Sequence, residues 1–134
     1  MSAEIIVALL IGITILLGLY VLLYKKKRLS RGKIKEIQKL WKEVENEAVS
    51  QPEQAIMKAD KLLDHALKLA GFKGNLGEKL QGARQVFSDN NAVWSAHKLR
   101  NQIAHEIGIK ATSYQAKGAL NGFKRALSDL GIPL

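Results

Sequence analysis

The chain has 134 residues, no cysteine and a formal net charge of +9 at neutral pH. This length permits one compact domain with an appendage, and the lack of cysteine excludes disulfide bonds and thiolate metal sites. The charge is uneven: nine basic and two acidic residues precede Glu43, whereas twelve basic and ten acidic residues lie from Glu43 onward. The net charge alone therefore does not indicate nucleic-acid binding.

The first segment is an apolar stretch of twenty uncharged residues, from Ile5 to Tyr24. A helix of that length extends about 30 Å, which is the thickness of the hydrocarbon core of a bilayer. A cleaved signal peptide would begin with basic residues and end at a small-residue cleavage site. Here Glu4 precedes the stretch and the basic cluster Lys25–Arg28 follows it. The pattern predicts a single-pass transmembrane anchor over residues 1–28.

The orientation of that anchor follows from the basic residues, because all 21 lysines and arginines come after the apolar stretch. The positive-inside rule places the N-terminus outside the cell and the C-terminal domain in the cytoplasm, at the inner (plasma) membrane. The same cluster of basic residues is expected to meet anionic lipid headgroups.

A juxtamembrane amphipathic helix is predicted over residues 29–49. It is either nearly continuous with the anchor or separated from it by a hinge at Ser30–Gly32. The apolar residues that recur at helical spacing are Ile34, Ile37, Leu40, Trp41, Val44 and Ala48.

A helical bundle domain is predicted over residues 50–134. Ser50–Glu53 predicts a capping box that starts a helix, and Gly71 is expected to end that helix in the left-handed conformation. A second cap, Asn75 with Glu78, starts a helix that carries apolar residues as far as Phe87.

The end of the chain follows the same pattern. The segment Ser88–Asn91 predicts a break, and Thr112 or Ser113 is expected to cap a last helix that ends at Gly131. No segment alternates with period two, so no strand is predicted. The predicted fold class is all-α: a single N-terminal transmembrane helix followed by an antiparallel bundle of about five helices.

One helix, predicted from Ala92 to Ile107, carries two of the three histidines. Residues four apart on a helix lie one above the other, so His97, Asn101 and His105 are predicted to form a polar stripe with Arg100 beside it. The apolar residues that face the other way are Ala96, Leu99, Ile103 and Ile107. This combination of side chains is unusual on a solvated face and marks the candidate site.

Other chemistry is not indicated by the sequence. Gly71, Gly74 and Gly77 follow a helix rather than a strand and lack the lysine of a phosphate-binding loop. His65 lies near Asp60 and Asp64, but these three residues are expected to form a solvated face rather than a metal site. No metal and no cofactor are therefore expected.

The segment Arg100-Asn101-Gln102-Ile103-Ala104-His105 resembles the R-x4-6-H motif of the HEPN superfamily (higher eukaryotes and prokaryotes nucleotide-binding), in which a polar residue follows the arginine. The resemblance covers about residues 50–130 and implies a HEPN-like bundle. It also implies a metal-independent endoribonuclease in which two protomers pair, with the arginine and histidine of both lining a shared cleft.

Transferred to this chain, the resemblance gives catalytic roles to Arg100 and His105. His105 would act on the proton of the ribose 2′-hydroxyl or on the leaving 5′-oxygen, and Arg100 would hold the phosphate. Asn101 would orient one of these groups. His97 is outside the motif, and its place in the site is inferred from helical spacing alone.

A homodimer is expected because Arg100 and His105 are five positions apart in the sequence, which places them about 140° apart on a straight helix. One protomer could hardly direct both side chains at one phosphate, whereas a two-fold partner could. Attachment to a membrane would raise the local concentration of protomers.

Three alternatives remain open at the level of the sequence. The domain could bind RNA or nucleotides without cleaving them. It could be a non-catalytic membrane-tethered scaffold or protein–protein interaction module, in which Arg100 pairs with Glu106 or another carboxylate. It could also be a toxin-antitoxin or defence effector that acts on RNA near the membrane and is controlled by a protein regulator.

Overall fold

The structure is a computed structural model that describes residues 1–23 and 28–134. These residues contain no β-strand and form six helices: α1 (Ala3–Leu23), α2 (Arg31–Glu47), α3 (Pro52–Leu69), α4 (Leu76–Gly82), α5 (Asn90–His105) and α6 (Ser113–Asp129). The predicted fold class is confirmed, since an apolar N-terminal helix precedes a bundle of five helices. Tyr24 and Lys25–Lys27, which belong to the predicted anchor and its basic cluster, lie outside the described residues.

Helix α1 is long and apolar enough to cross a membrane. It has 21 residues and a mean hydropathy of 2.9, and none of its residues is buried against the bundle. Its Thr14 hydroxyl donates to the carbonyls of Leu10 and Ile11, at 3.1 and 2.8 Å. The hydroxyl is thus satisfied within the helix, as an apolar environment requires. The core of the bundle contains no residue of α1.

Helix α2 packs against α3. It begins where the Ser30 side chain accepts a hydrogen bond from the Lys33 backbone N–H. Its spacing of apolar residues brings Ile37, Trp41 and Val44 onto one face, and all three are buried. The division of the chain at residue 50 stays a prediction, but α2 contributes part of the common core.

Helix α3 is the centre of the bundle, because α2, α4, α5 and α6 all pack against it. Its buried apolar residues are Ala55, Ile56, Ala59, Leu62, Leu63, Ala66 and Leu67. Asp60 is buried among them, and Lys79 of α4 is the other buried charged residue in the described part of the chain. A buried carboxylate in the central helix needs partners, and those partners come from α5.

The start of α3 differs from the prediction. Gln51, not Ser50, is the N-cap, and its side chain makes no capping hydrogen bond. Because the helix begins one residue later, Glu53 occupies the second helical position and cannot complete a capping box. Glu53 Oε1 instead accepts a hydrogen bond of 2.9 Å from the backbone N–H of Ala111, which connects α3 to the segment before α6.

The other predicted caps are present. Asn75 and Glu78 form a capping box at α4, and Thr112 forms one with Gln115 at α6. Gly71 adopts a φ of +97°, as expected for a left-handed residue that ends α3.

Three helix ends differ from the prediction. Helix α4 ends at Gly82 rather than near Phe87, although Phe87 is still buried. Helix α5 begins at Asn90, with Asp89 as its N-cap, and ends at His105. Ile107 therefore lies beyond the helix and is fully exposed, and it does not share the buried face of Ala96.

Candidate functional site

The candidate site is built around Asp60, which is only 3% exposed. His97 Nδ1 lies 2.8 Å from Asp60 Oδ1, and Arg100 Nε lies 3.1 Å from Asp60 Oδ2. Arg100 Nη1 donates to Asn101 Oδ1 at 2.9 Å, and Asn101 Nδ2 lies 3.3 Å from His97 Nε2. These four residues form a closed ring of polar contacts, called here the Asp60 cluster.

The cluster determines where the proton of His97 lies. A guanidinium only donates hydrogen bonds, so the Asn101 atom that faces Arg100 must be the carbonyl oxygen. The Asn101 amide nitrogen then faces His97 Nε2, and Nε2 must accept. The remaining hydrogen belongs on Nδ1, from which it is donated to Asp60. His97 is thus neutral in this arrangement, and its acceptor nitrogen is already occupied.

Arg100 is held differently from His97. Its Nε is buried and close to Asp60, but the N–H is not directed at the carboxylate and makes no hydrogen bond within the described residues. The contact is an ion pair without a well-aligned hydrogen bond. The Arg100 side chain is 23% exposed, so the bundle does not fully enclose it.

An open groove of about 390 Å³ lies beside the cluster, between α3, α5 and the turn before α4. Arg100, Lys61 and Lys79 line it, together with the carboxylates of Asp60 and Asp64. Lys79 Nζ is 2.7 Å from Asp64 Oδ1, so this lysine already has a partner. With His97 neutral, three cations face two carboxylates, which leaves a small excess of positive charge for an anion.

His105 lies apart from the cluster. It is the last residue of α5 and is exposed, and its side chain makes no hydrogen bond to any residue in 1–23 or 28–134. The structure therefore brings together His97, Arg100 and Asn101 of the four predicted site residues, and it leaves His105 at the open end of the same helix. The predicted stripe holds as a contact only between His97 and Asn101.

The prediction that Asp60 lies on a solvated face is wrong, because this residue is buried. Its position contained a signal: Ile56, Leu63 and Leu67 lie four residues before it and three and seven residues after it, and all three are buried. A carboxylate at that spacing lies in the apolar stripe of the helix. His65, in contrast, is half-exposed and belongs to the face that meets α2.

Comparison of the chain with protein-family models, with curated proteins and with solved structures finds no match.

Proposed function

We propose that the chain is a membrane-anchored, HEPN-like protein that binds RNA at the Asp60 cluster and cleaves it without a metal, as a homodimer on the cytoplasmic face of the membrane. The observation that carries the proposal is the state of Arg100. Asp60 and Asn101 hold this cation in place, yet its side chain is 23% exposed and lines an open groove.

A cation held in this way suits phosphate binding. The negative charge of Asp60 offsets the cost of keeping Arg100 partly buried, and the contact with Asn101 restricts the orientation of the guanidinium plane. Donors that are already oriented need not reorganise when charge develops on a phosphate. Asn101 would therefore orient Arg100, and His97 would orient Asn101.

The proton transfer belongs to His105 rather than to His97. Both ring nitrogens of His97 are engaged in the cluster, whereas those of His105 are open to solvent. An imidazole can both take and give a proton near neutral pH. The 2′-oxygen would attack the phosphorus while the bond from phosphorus to the 5′-oxygen breaks, which leaves a 2′,3′-cyclic phosphate and a 5′-hydroxyl. His105 would remove the 2′-hydroxyl proton or protonate the leaving 5′-oxygen.

A second copy of the chain is needed to complete this site, since Arg100 and His105 of one protomer do not meet. The surface beside His105 supports pairing there, because Ile107 and Tyr114 are exposed by 105% and 89% and Ile109 is also exposed. Exposed apolar side chains next to a polar site favour a protein contact. We expect two α5 ends to pair about a two-fold axis.

The deciding experiment uses residues 30–134, whose core contains no residue of α1. This fragment would be incubated with RNA in EDTA, beside Arg100→Ala, His105→Ala and the control Lys68→Ala. Lys68 is an exposed residue at the end of α3. Cleavage that survives chelation, leaves 2′,3′-cyclic phosphate ends and is lost only in the first two variants would support the proposal.

A non-catalytic scaffold or interaction module is the second candidate. The contacts of Asp60 favour it, because they can serve to stabilise the fold: Asp60 neutralises Arg100 and accepts a hydrogen bond from His97 inside the bundle. A folded, dimeric fragment that neither cleaves nor binds RNA would support this candidate. If the ribonuclease acts as a toxin or defence effector, overexpression of the chain should be toxic, and His105→Ala should abolish the toxicity.

A further inference from the structure

Four cations lie in a row along the outer face of α2: Arg31, Lys35, Lys39 and Lys42. Successive residues of a helix turn by about 100°, so these four lie within an arc of about 80°. All four are exposed, and none forms an ion pair with a carboxylate of the described residues. This row is called here the α2 basic stripe.

The bundle does not cover the α2 basic stripe. The buried residues Ile37, Trp41 and Val44 lie on the opposite side of the helix, against α3. Among the carboxylates of α2, Glu36 pairs with Lys33, Glu45 with Lys124 and Glu47 with Lys58, whereas Glu43, at the edge of the stripe, forms no ion pair within the described residues. The stripe is therefore an exposed row of positive charge, about 16 Å long.

We propose that the α2 basic stripe docks the bundle lengthwise onto the anionic leaflet in which α1 is anchored. This inference rests on the membrane anchor of the proposed function and adds to it the face that meets the lipid. Seven residues separate Leu23 from Arg31, and they span at most about 25 Å. Helix α2 is thus kept near the headgroups, where each lysine or arginine adds to the attraction.

In the docked orientation, the Asp60 cluster lies on the side of the bundle away from the bilayer. Helix α3 covers the inner face of α2, whereas α5 packs against α3 and α6. On α3 itself, the residues beside α2, such as Lys58 and Leu62, lie on the side away from Asp60. With α2 on the lipid, Arg100 and its groove face away from the bilayer and are accessible from the aqueous side.

An RNA backbone is the competing ligand for a row of cations. The structure favours lipid because the stripe faces away from α3, whereas the groove at Arg100 lies between α3, α5 and the turn before α4, so a segment of RNA bound at Arg100 would have to cross α3 to reach the stripe. The stripe also begins at the end of α2 nearest the anchor, where a bilayer is always available.

The test uses the full chain in nanodiscs of phosphatidylcholine, with or without about 30% phosphatidylserine. Because the chain has no cysteine, a fluorophore can be placed at one introduced thiol. Asn46→Cys reports on α2 one turn beyond Lys42, and Ser95→Cys reports on α5; both positions are exposed. A quencher on the lipid headgroups then measures how close each site is to the surface.

We expect strong quenching at position 46 in anionic discs, weak quenching at position 95, and loss of the difference at about 0.5 M salt. The variant Lys35→Glu/Lys39→Glu/Lys42→Glu should lower the ratio of docked to undocked protein by at least about 100-fold. The matched control, Lys98→Glu/Lys110→Glu/Lys117→Glu, removes as many exposed cations from the α5–α6 side and should not change quenching at position 46.

Equal quenching at position 46 in neutral and anionic discs would overturn the proposal, as would an equal loss in the control variant. If the α2 variant loses RNA affinity while its quenching is unchanged, the stripe is an RNA surface. If the wild-type chain does not insert into either disc, the membrane anchor itself fails, an outcome distinct from insertion without charge-dependent docking.

Discussion

The middle and the end of α5 differ sharply, although Arg100 and His105 are only five positions apart. In the middle, His97, Arg100 and Asn101 are joined to each other and to a buried carboxylate of α3. At the end, His105 is exposed and the chain leaves the helix. A cation held in place and an imidazole open to solvent are suited to different tasks, the first to binding a phosphate and the second to moving a proton.

The largest expected effect on stability comes from the Asp60 cluster, in the middle of α5. Asp60→Ala would leave Arg100 and His97 partly buried without their carboxylate, and breaking a buried pair costs about 3–5 kcal/mol. We expect the free energy of unfolding of residues 30–134, measured in urea, to fall by an amount in this range. Glu106→Ala is the control, because Glu106 is exposed and forms no ion pair in the described residues. An Asp60→Ala fragment as stable as the control would show that the cluster does not hold α5 to α3.

A smaller loss of stability is expected from a substitution at Gly122, where α6 approaches the first turn of α5. A Cβ at Gly122 would lie 2.8 Å from the backbone oxygen of Ala92, too close for either helix to remain in place. Gly122→Ala should therefore cost about 1–3 kcal/mol of stability. Gly118 lies on the same helix with nothing within 4 Å of its Cβ position, so Gly118→Ala should stabilise the fragment by up to about 1 kcal/mol.

That pair of variants also tests how far the cluster depends on the position of α5. Thermal denaturation of both fragments shows directly whether each substitution lowers or raises the stability. Equal effects of the two substitutions would contradict the close contact between the helices. RNA affinity should fall in Gly122→Ala, because a displaced α5 moves Arg100 relative to Asp60, and should be unchanged in Gly118→Ala.

His97→Ala should have a further, smaller effect of about 1–2 kcal/mol. The substitution leaves Asp60 without one donor and Asn101 without its acceptor, and an unsatisfied buried group costs that much. If His97 only positions Asn101, the variant should retain some RNA cleavage while binding RNA less tightly. Complete loss of cleavage in a folded His97→Ala fragment would instead give His97 a direct role in the chemistry.

The helices and most of their caps could be predicted from the sequence because these features depend on neighbouring residues. The contact between His97 and Asn101 follows from a spacing of four. The partner of both, Asp60, lies 37 residues from His97, and no local pattern pairs residues so far apart. The same reason applies to Glu53, whose partner Ala111 is 58 residues away. A carboxylate in the apolar stripe of α3 was the available signal, and its charge led to the wrong placement.

The smallest effect on stability is expected at the open end, and it is the most informative for function. His105 is exposed and its side chain makes no hydrogen bond to the part of the chain that the structure describes, so His105→Ala should change the free energy of unfolding by less than about 0.5 kcal/mol. Urea denaturation beside wild type measures this.

The same His105→Ala fragment should bind RNA as wild type does and fail to cleave it, because Arg100 and its cluster are intact. Mixing it with an Arg100→Ala fragment tests the shared cleft. In each heterodimer, Arg100 is present only in the His105→Ala protomer and His105 only in the Arg100→Ala protomer. If each active site combines Arg100 of one protomer with His105 of the other, one of the two sites in the heterodimer is complete, and part of the activity should return. If mixing restores nothing while each fragment still dimerises, the arginine and histidine must act from the same chain or need both copies of each, and the pairing of α5 ends proposed above would have to be redrawn.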